Sequence, residues 1–234
     1  GPLFVIILYG GVDMILALGV FLPEVKPVMD SMLVLESGEI LGRHFCRGVI
    51  GNNEVVACGG FVGKIESSML TQRLIDRFNP RLAVLSSCAA GIDESVQIGD
   101  VVVGTEFEEY DTIFPLSEGK MVMKAPDTLL MRFLKVYFKA GKFGKILSGD
   151  AVVANASVRD EIHSSHGGIA LDMDSAPFAK TAYENKCSYL VIKTILDMAD
   201  ENSKRDFDRH FSELAGRSSE LLVEIMKNHY IDRE

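Results

Sequence analysis

The sequence predicts an α/β fold of three layers, a central sheet with helices on both sides. Short apolar, β-branched runs alternate with stretches of helical spacing almost to the C-terminus. No Pro/Ser-rich linker and no internal repeat divides the chain, so residues 1–234 read as one domain. With 234 residues, 47% of them hydrophobic, the chain is long enough and apolar enough to bury a continuous core.

Each element has a local reason. Residues 3–9 are apolar and β-branched enough for a buried strand, which Gly10-Gly11 ends. Residues 54–58 form a second strand, closed by Gly59-Gly60. Ile65, Met69, Leu70, Leu74, Ile75 and Phe78 recur at helical spacing, and Asn79-Pro80 stops that helix. Residues 81–87 return to strand character. The small residues Cys88-Ala89-Ala90-Gly91 then suit either a ligand loop that lets a backbone approach closely or an ordinary tight crossover. This run lies ahead of Ile98-Gly99-Asp100-Val101-Val102-Val103-Gly104, and an amphipathic helix over 127–138 and a short strand at 146–147 leading into Ser148-Gly149-Asp150 are expected next. A strand fragment at 169–173, a helix over 175–185 and a strand over 188–195 follow. One long helix spans about 205–230, with Phe207, Phe211, Leu214, Leu221, Leu222, Ile225 and Met226 on its inner side.

Composition excludes several classes of function. Thirty-three acidic against 24 basic residues give a net charge of -9, which disfavours nonspecific nucleic-acid binding and attraction to anionic membranes. The apolar run at 3–8 is too short to span a bilayer and has no basic region before it, so neither a transmembrane segment nor a signal peptide is expected. Cys46, Cys58, Cys88 and Cys187 form no CxxC pair and read as reduced thiols, which suits the cytoplasm. Of the five histidines only His163 and His166 lie close together, and no local metal-ligand spacing appears. Gly59-Gly60-Phe61-Val62-Gly63 lacks GxGxxG spacing and there is no GxxxxGK[ST]. Seven basic residues against one acidic lie between Lys120 and Lys145. They form either a phosphate-attracting patch or, more simply, a solvated helix face and loop.

Five segments taken together resemble the nucleoside phosphorylase/nucleosidase superfamily, particularly its 5′-methylthioadenosine/S-adenosylhomocysteine nucleosidases. They are GKIESSMLTQRLI at 63–75, SSCAAGIDESVQIGDVVVG at 86–104, SGDAVV at 148–153, LDMDSAPFA at 171–179 and VIKTILDMAD at 191–200, in the family's order. The resemblance implies a nucleoside phosphorylase-like mixed sheet and a homodimer. It also implies hydrolysis of the bond between adenine and ribose without cofactor or metal.

Departure of adenine needs an acid, and Asp197 resembles the family's purine-site acid; a helix N-cap is the alternative. Met173-Asp174 resembles the family's Met-Glu pair, the carboxylate for ribose hydroxyls and the methionine against the sugar. A strand-end cap and a core methionine are the plainer reading. The family supplies a water-activating glutamate soon after its first strand. Asp13 is the carboxylate available after the run at 3–9, as base or as a helix-start cap. Ser87 or Cys88 stands where a small polar residue near the nucleophile is expected, though either could simply close the strand, and Val152 and Val153 stand where the base wall is expected. Lys193 replaces the usual arginine, keeping charge but losing the planar fork. Leu196 replaces a serine before the acid.

The expected function is therefore release of adenine from methylthioadenosine, adenosylhomocysteine or the aminodeoxyfutalosine of menaquinone synthesis. A phosphate-dependent phosphorylase and a noncatalytic adenine-nucleoside binding protein are the alternatives.

Overall fold

The computed structural model describes residues 14–112 and 121–228. The strand expected at 3–9, and Asp13 with it, lie outside the described residues. Strand β1 is Met14–Gly19, and its alternation sets the layers. Leu16 and Leu18 face one core, while Ile15 and Ala17 face the other, as the two-residue period of a strand requires.

Helix α1 (Leu22–Asp30) follows, begun by Pro23, whose missing N–H costs nothing in a first turn. Strands β2 (Leu33–Ile40) and β3 (Arg43–Ile50) form a hairpin, and β4 is Asn53–Gly59. Helix α2 (Gly63–Phe78) stops at Asn79, which takes the left-handed conformation at φ 46°. Strands β5 (Leu82–Gly91), β6 (Val101–Glu109) and β7 (Val122–Lys124) precede helix α3 (Leu129–Tyr137), capped by the Thr128 hydroxyl. Strand β8 (Lys142–Ser148) leads to helix α4 (Ala156–His166), capped by the Asn155 side chain. Strand β9 (Ala170–Asp172), helix α5 (Ser175–Glu184), strand β10 (Ser188–Asp197) and helices α6 (Ser203–Leu214) and α7 (Arg217–Asn228) complete the described chain.

The ten strands among the described residues form one mixed sheet. From one edge it runs β2, β3, β4, β1, β5, with β4, β1 and β5 parallel. At β5 it branches. β10 pairs with it in parallel along most of its length, and β9 pairs with Ala90 and Gly91 alone. Pairings of β10 with β6, β6 with β8, and β8 with β9 close a ring of five strands. Helices α2 and α5 pack against the core that contains Leu16, Leu18 and Phe45. Helices α1, α3 and α7 contribute Val25, Leu134 and Leu222 to the core on the opposite face. The expected mixed-sheet α/β architecture is thus what the chain adopts.

Two local expectations are corrected. Residues 88–91 are the end of β5, not a loop. Their smallness serves close packing: a Cβ on Gly91 would lie 2.8 Å from the Met198 Sδ. The single helix expected over 205–230 is two, α6 and α7. The chain breaks at Gly216, where a Cβ would lie 2.8 Å from Pro27 Cγ of α1. Each helix keeps its own apolar stripe, so the spacing alone concealed the break.

Candidate active site

The residues with unusual environments sit where strands end, the usual place for a site in an α/β fold. After β1, the chain turns through Val20 and Phe21 into α1 and places Glu24 in its first turn. The Phe21 backbone N–H donates to Glu24 Oε2 at 2.7 Å, and the Cys88 N–H of β5 donates to Oε1 at 2.8 Å. Glu24 is only 1% exposed. Burial pushes its carboxyl up to about 7, against the opposing pull of the Phe21 N–H, the Lys193 charge and the Cys88 contact.

Asp197 ends β10, just after a register shift. Its Oδ1 accepts from the Ala199 N–H at 2.9 Å and from the Ser203 hydroxyl of α6 at 2.6 Å. Burial raises its pKa above the ordinary aspartate value, and these two donors hold it back in part. Both protein contacts fall on Oδ1, so a proton is best placed on Oδ2.

Asp172, the last residue of β9, and Asp174, two residues on, share one cation. Lys193 Nζ lies 2.7 Å from Asp172 Oδ2, 2.7 Å from Asp174 Oδ2 and 2.5 Å from Ser87 Oγ. The lysine is 0% exposed. The two carboxylates hold it charged despite its burial. Burial pushes the Asp174 carboxyl up to about 6, with Lys193 opposing and Asp172 adding to the rise. Asp172 is held below its ordinary range, against burial, by Lys193 and the hydroxyls of Ser148 and Ser175.

Glu24, Asp174 and Asp197 all line one cavity of about 540 Å³. Met173 and Leu196 line it too, and Phe207 of α6 closes one side, its ring 6.3 Å from that of Phe21. Val153 is buried in the wall, whereas Val152 sits at the rim, 80% exposed, because neighbouring residues of an extended segment point opposite ways. The expected pair therefore provides one inward wall residue.

Of the residues the sequence singles out, Met173, Asp174, Asp197, Val152 and Val153 come together at this cavity. Ser87 and Lys193 do not line it: both are fully buried behind Asp174, drawn inward by their mutual contact and the carboxylates. Glu24 is the residue that sequence reasoning misses. Its signal is the apolar run 14–19 followed by Pro23 and an acid, the pattern of a strand entering a helix N-terminus. Among the described residues, no group of three or more His, Cys, Asp or Glu side chains is arranged to hold a metal ion.

The arrangement suits acid–base work on a neutral ligand. A carboxyl near neutrality faces the cavity from α1, a second with a raised pKa faces it from β10, and a third lines it with a buried lysine at its back.

Comparison with known proteins fits this geometry. A family model described as the phosphorylase superfamily matches residues 14–227. The chain is 38% identical over 214 residues to the 5′-methylthioadenosine/S-adenosylhomocysteine nucleosidase of Thermotoga maritima, a match covering 92% of this chain and 98% of the relative. Among solved structures, the Helicobacter pylori enzyme of that name, complexed with a pyrrolopyrimidine–pyrrolidine compound, matches with a TM-score of 0.84. It is 24% identical and covers 93% of this chain and 98% of its own. A futalosine hydrolase mutant from the same organism matches with a TM-score of 0.84 at 23% identity, covering 92% and 98%. These two structures speak for the fold, and the Thermotoga relative and the family model for descent. The chain belongs to the phosphorylase superfamily, in the branch of the 5′-methylthioadenosine/S-adenosylhomocysteine nucleosidases.

Proposed function

We propose that this protein is an N-ribosyl hydrolase that releases adenine from a 5′-substituted adenine nucleoside: methylthioadenosine, adenosylhomocysteine or aminodeoxyfutalosine. The observation that carries this reading is the convergence of Glu24, Asp174 and Asp197 on one cavity. Glu24, fixed by two backbone donors and near neutrality, takes a proton from water as the water attacks the anomeric carbon. Asp197 gives a proton from Oδ2 to the departing purine. Asp174 accepts from the ribose hydroxyls and places negative charge near the cationic sugar of the transition state. Met173 packs against the sugar, and Val153 against the base.

Water is favoured over phosphate by charge. Lys193, the buried cation beside the site, is already matched by Asp172 and Asp174, and Glu24 would confront an anionic nucleophile. Glu24, held by two backbone donors, supplies a base at the cavity and so counts against a noncatalytic adenine-nucleoside binder. The reading takes residues 1–234 as one domain in the cytoplasm and needs no cofactor. Cys46, Cys58, Cys88 and Cys187 are free thiols, in keeping with a reducing compartment. Among the described residues no helix is long and apolar enough to cross a membrane. A homodimer is part of the proposal, supported by Val62, Ile65 and Met69, exposed along one side of the start of α2.

The test is adenine release from the three nucleosides at equal enzyme concentration in phosphate-free buffer. Turnover of at least one supports hydrolysis. Binding of all three without release, or release that requires phosphate, contradicts it.

A further inference from the structure

Asp172 stands in the lining of the cavity beside Asp174, yet both its oxygens are taken up by protein groups and the proposed reaction assigns it no step. Asp172 Oδ1 accepts from the Ser148 hydroxyl at 2.6 Å and from the backbone N–H groups of Asp174 and Ser175, each at 3.2 Å. Its Oδ2 accepts from the Ser175 hydroxyl and faces Lys193 Nζ at 2.7 Å. The carboxylate is thereby tied to the end of β8, to its own turn and to the first residue of α5, and it cannot turn without breaking several hydrogen bonds.

Lys193 has three N–H donors and three acceptors around it: Asp172 Oδ2, Asp174 Oδ2 and Ser87 Oγ. No donor is left for a ligand, and the ammonium has no exposed surface. Asp174 Oδ2 is turned inward to Lys193 and lies 3.4 Å from Ser87 Oγ, which leaves Oδ1 as its outward atom. An aspartate at this position has one methylene less to reach with than a glutamate, so the angle of its carboxylate decides whether Oδ1 meets the sugar.

We propose that Asp172 is a positioning residue for the hydrolysis: it fixes the Lys193 ammonium, and Lys193 in turn aims Asp174 at the ribose hydroxyls. This inference rests on the nucleosidase reading. It assigns Lys193 no contact with substrate, and Asp172 a role exercised through two other side chains.

The test is Asp172→Asn. The amide oxygen can keep the Ser148 hydroxyl and the Asp174 and Ser175 backbone N–H donors, and the Ser175 hydroxyl can turn to accept from the new NH2, but that NH2 confronts the Lys193 ammonium, donor against donor, and pushes the lysine away. Activity is measured on methylthioadenosine and on its 3′-deoxy analogue. In the unaltered protein, loss of a hydrogen bond to a charged carboxylate lowers kcat/KM for the analogue by about 10- to 100-fold. In Asp172→Asn, KM for methylthioadenosine rises by about tenfold or more, and the penalty for the missing hydroxyl shrinks to about threefold or less. A merely structural residue would leave that penalty intact, so an unchanged penalty overturns the proposal. Ser148→Ala removes one donor to Asp172 and decides the matter if Asp172→Asn does not fold: a reduced penalty supports the role and an unchanged one overturns it. Failure of the unaltered protein to release adenine from either nucleoside overturns the nucleosidase reading itself, a different outcome from an unchanged penalty.

Discussion

Glu24 and Cys88 meet across the cavity wall, the Cys88 backbone N–H donating to Glu24 Oε1 at 2.8 Å, and this bond ties the first turn of α1 to β5. With the Phe21 N–H on the other oxygen, the carboxylate is aimed before any ligand arrives. Such preorganisation matters because a base must lie within hydrogen-bond reach of the water it activates.

Replacing Glu24 with Gln keeps the shape and removes the base. We expect kcat to fall by about 10²- to 10⁴-fold. In the unaltered protein, activity should rise with pH through about 7 as Glu24 ionises. A steady-state pH profile of kcat/KM checks both statements.

The same residue affects stability with a defined sign. A carboxyl whose pKa rises from 4.5 to about 7 on folding favours the folded state at pH below 4.5, and the favour is lost as pH climbs through 7. At pH 8 the folded protein therefore bears a cost of up to roughly 3 kcal/mol, at 1.36 kcal/mol per pH unit. Glu24→Gln should gain thermal stability relative to the unaltered protein between pH 5 and pH 8. Melting temperatures at the two pH values test this.

Ser203 donates to Asp197 and so favours its ionised form. Ser203→Ala should raise the Asp197 pKa and move the alkaline limb of the pH profile upward, because the acid then keeps its proton to higher pH. Asp197→Asn should lower kcat by about 10²- to 10⁴-fold across the whole range.

Lys193→Met leaves Asp172 and Asp174 buried without their cation. Breaking a buried pair in this way costs about 3–5 kcal/mol. The melting temperature should fall by roughly 10 °C at pH 8. The loss should be smaller at pH 5, where Asp174, already pushed up to about 6 by burial, takes a proton. Scanning calorimetry at both pH values checks the difference.

For the proposed dimer, Ile65→Glu with Met69→Glu places two charges on the exposed apolar side of α2. Sedimentation should then show a monomer where the unaltered protein sediments as a dimer.

The ease with which the sequence could be read varied along the chain for physical reasons. α2 is plain because six apolar residues keep helical spacing and Asn79-Pro80 stops them. The β2–β3 hairpin is obscure because Leu33, Val34 and Leu35 are exposed along an edge strand and give no alternation. Its turn also places Leu41, a residue that rarely signals one, at φ 49°. Asp174 and Asp197 follow from the family's spacing, since each sits beside a strand end. Glu24 is hidden because the run at 3–9 is more strongly apolar than the run at 14–19 and draws the first strand, and hence the base, toward Asp13. That Ser87 and Lys193 lie behind the cavity is a matter of side-chain direction, set by the Asp172 contacts and absent from any motif.

The most direct measurement follows the oxygen. Single-turnover cleavage of methylthioadenosine in ¹⁸O-labelled water, without phosphate, should place the label on the anomeric carbon of the released sugar, with Glu24→Gln slowing its appearance. An unlabelled sugar, a product formed only with added phosphate and carrying it, or full activity in Glu24→Gln would contradict the account.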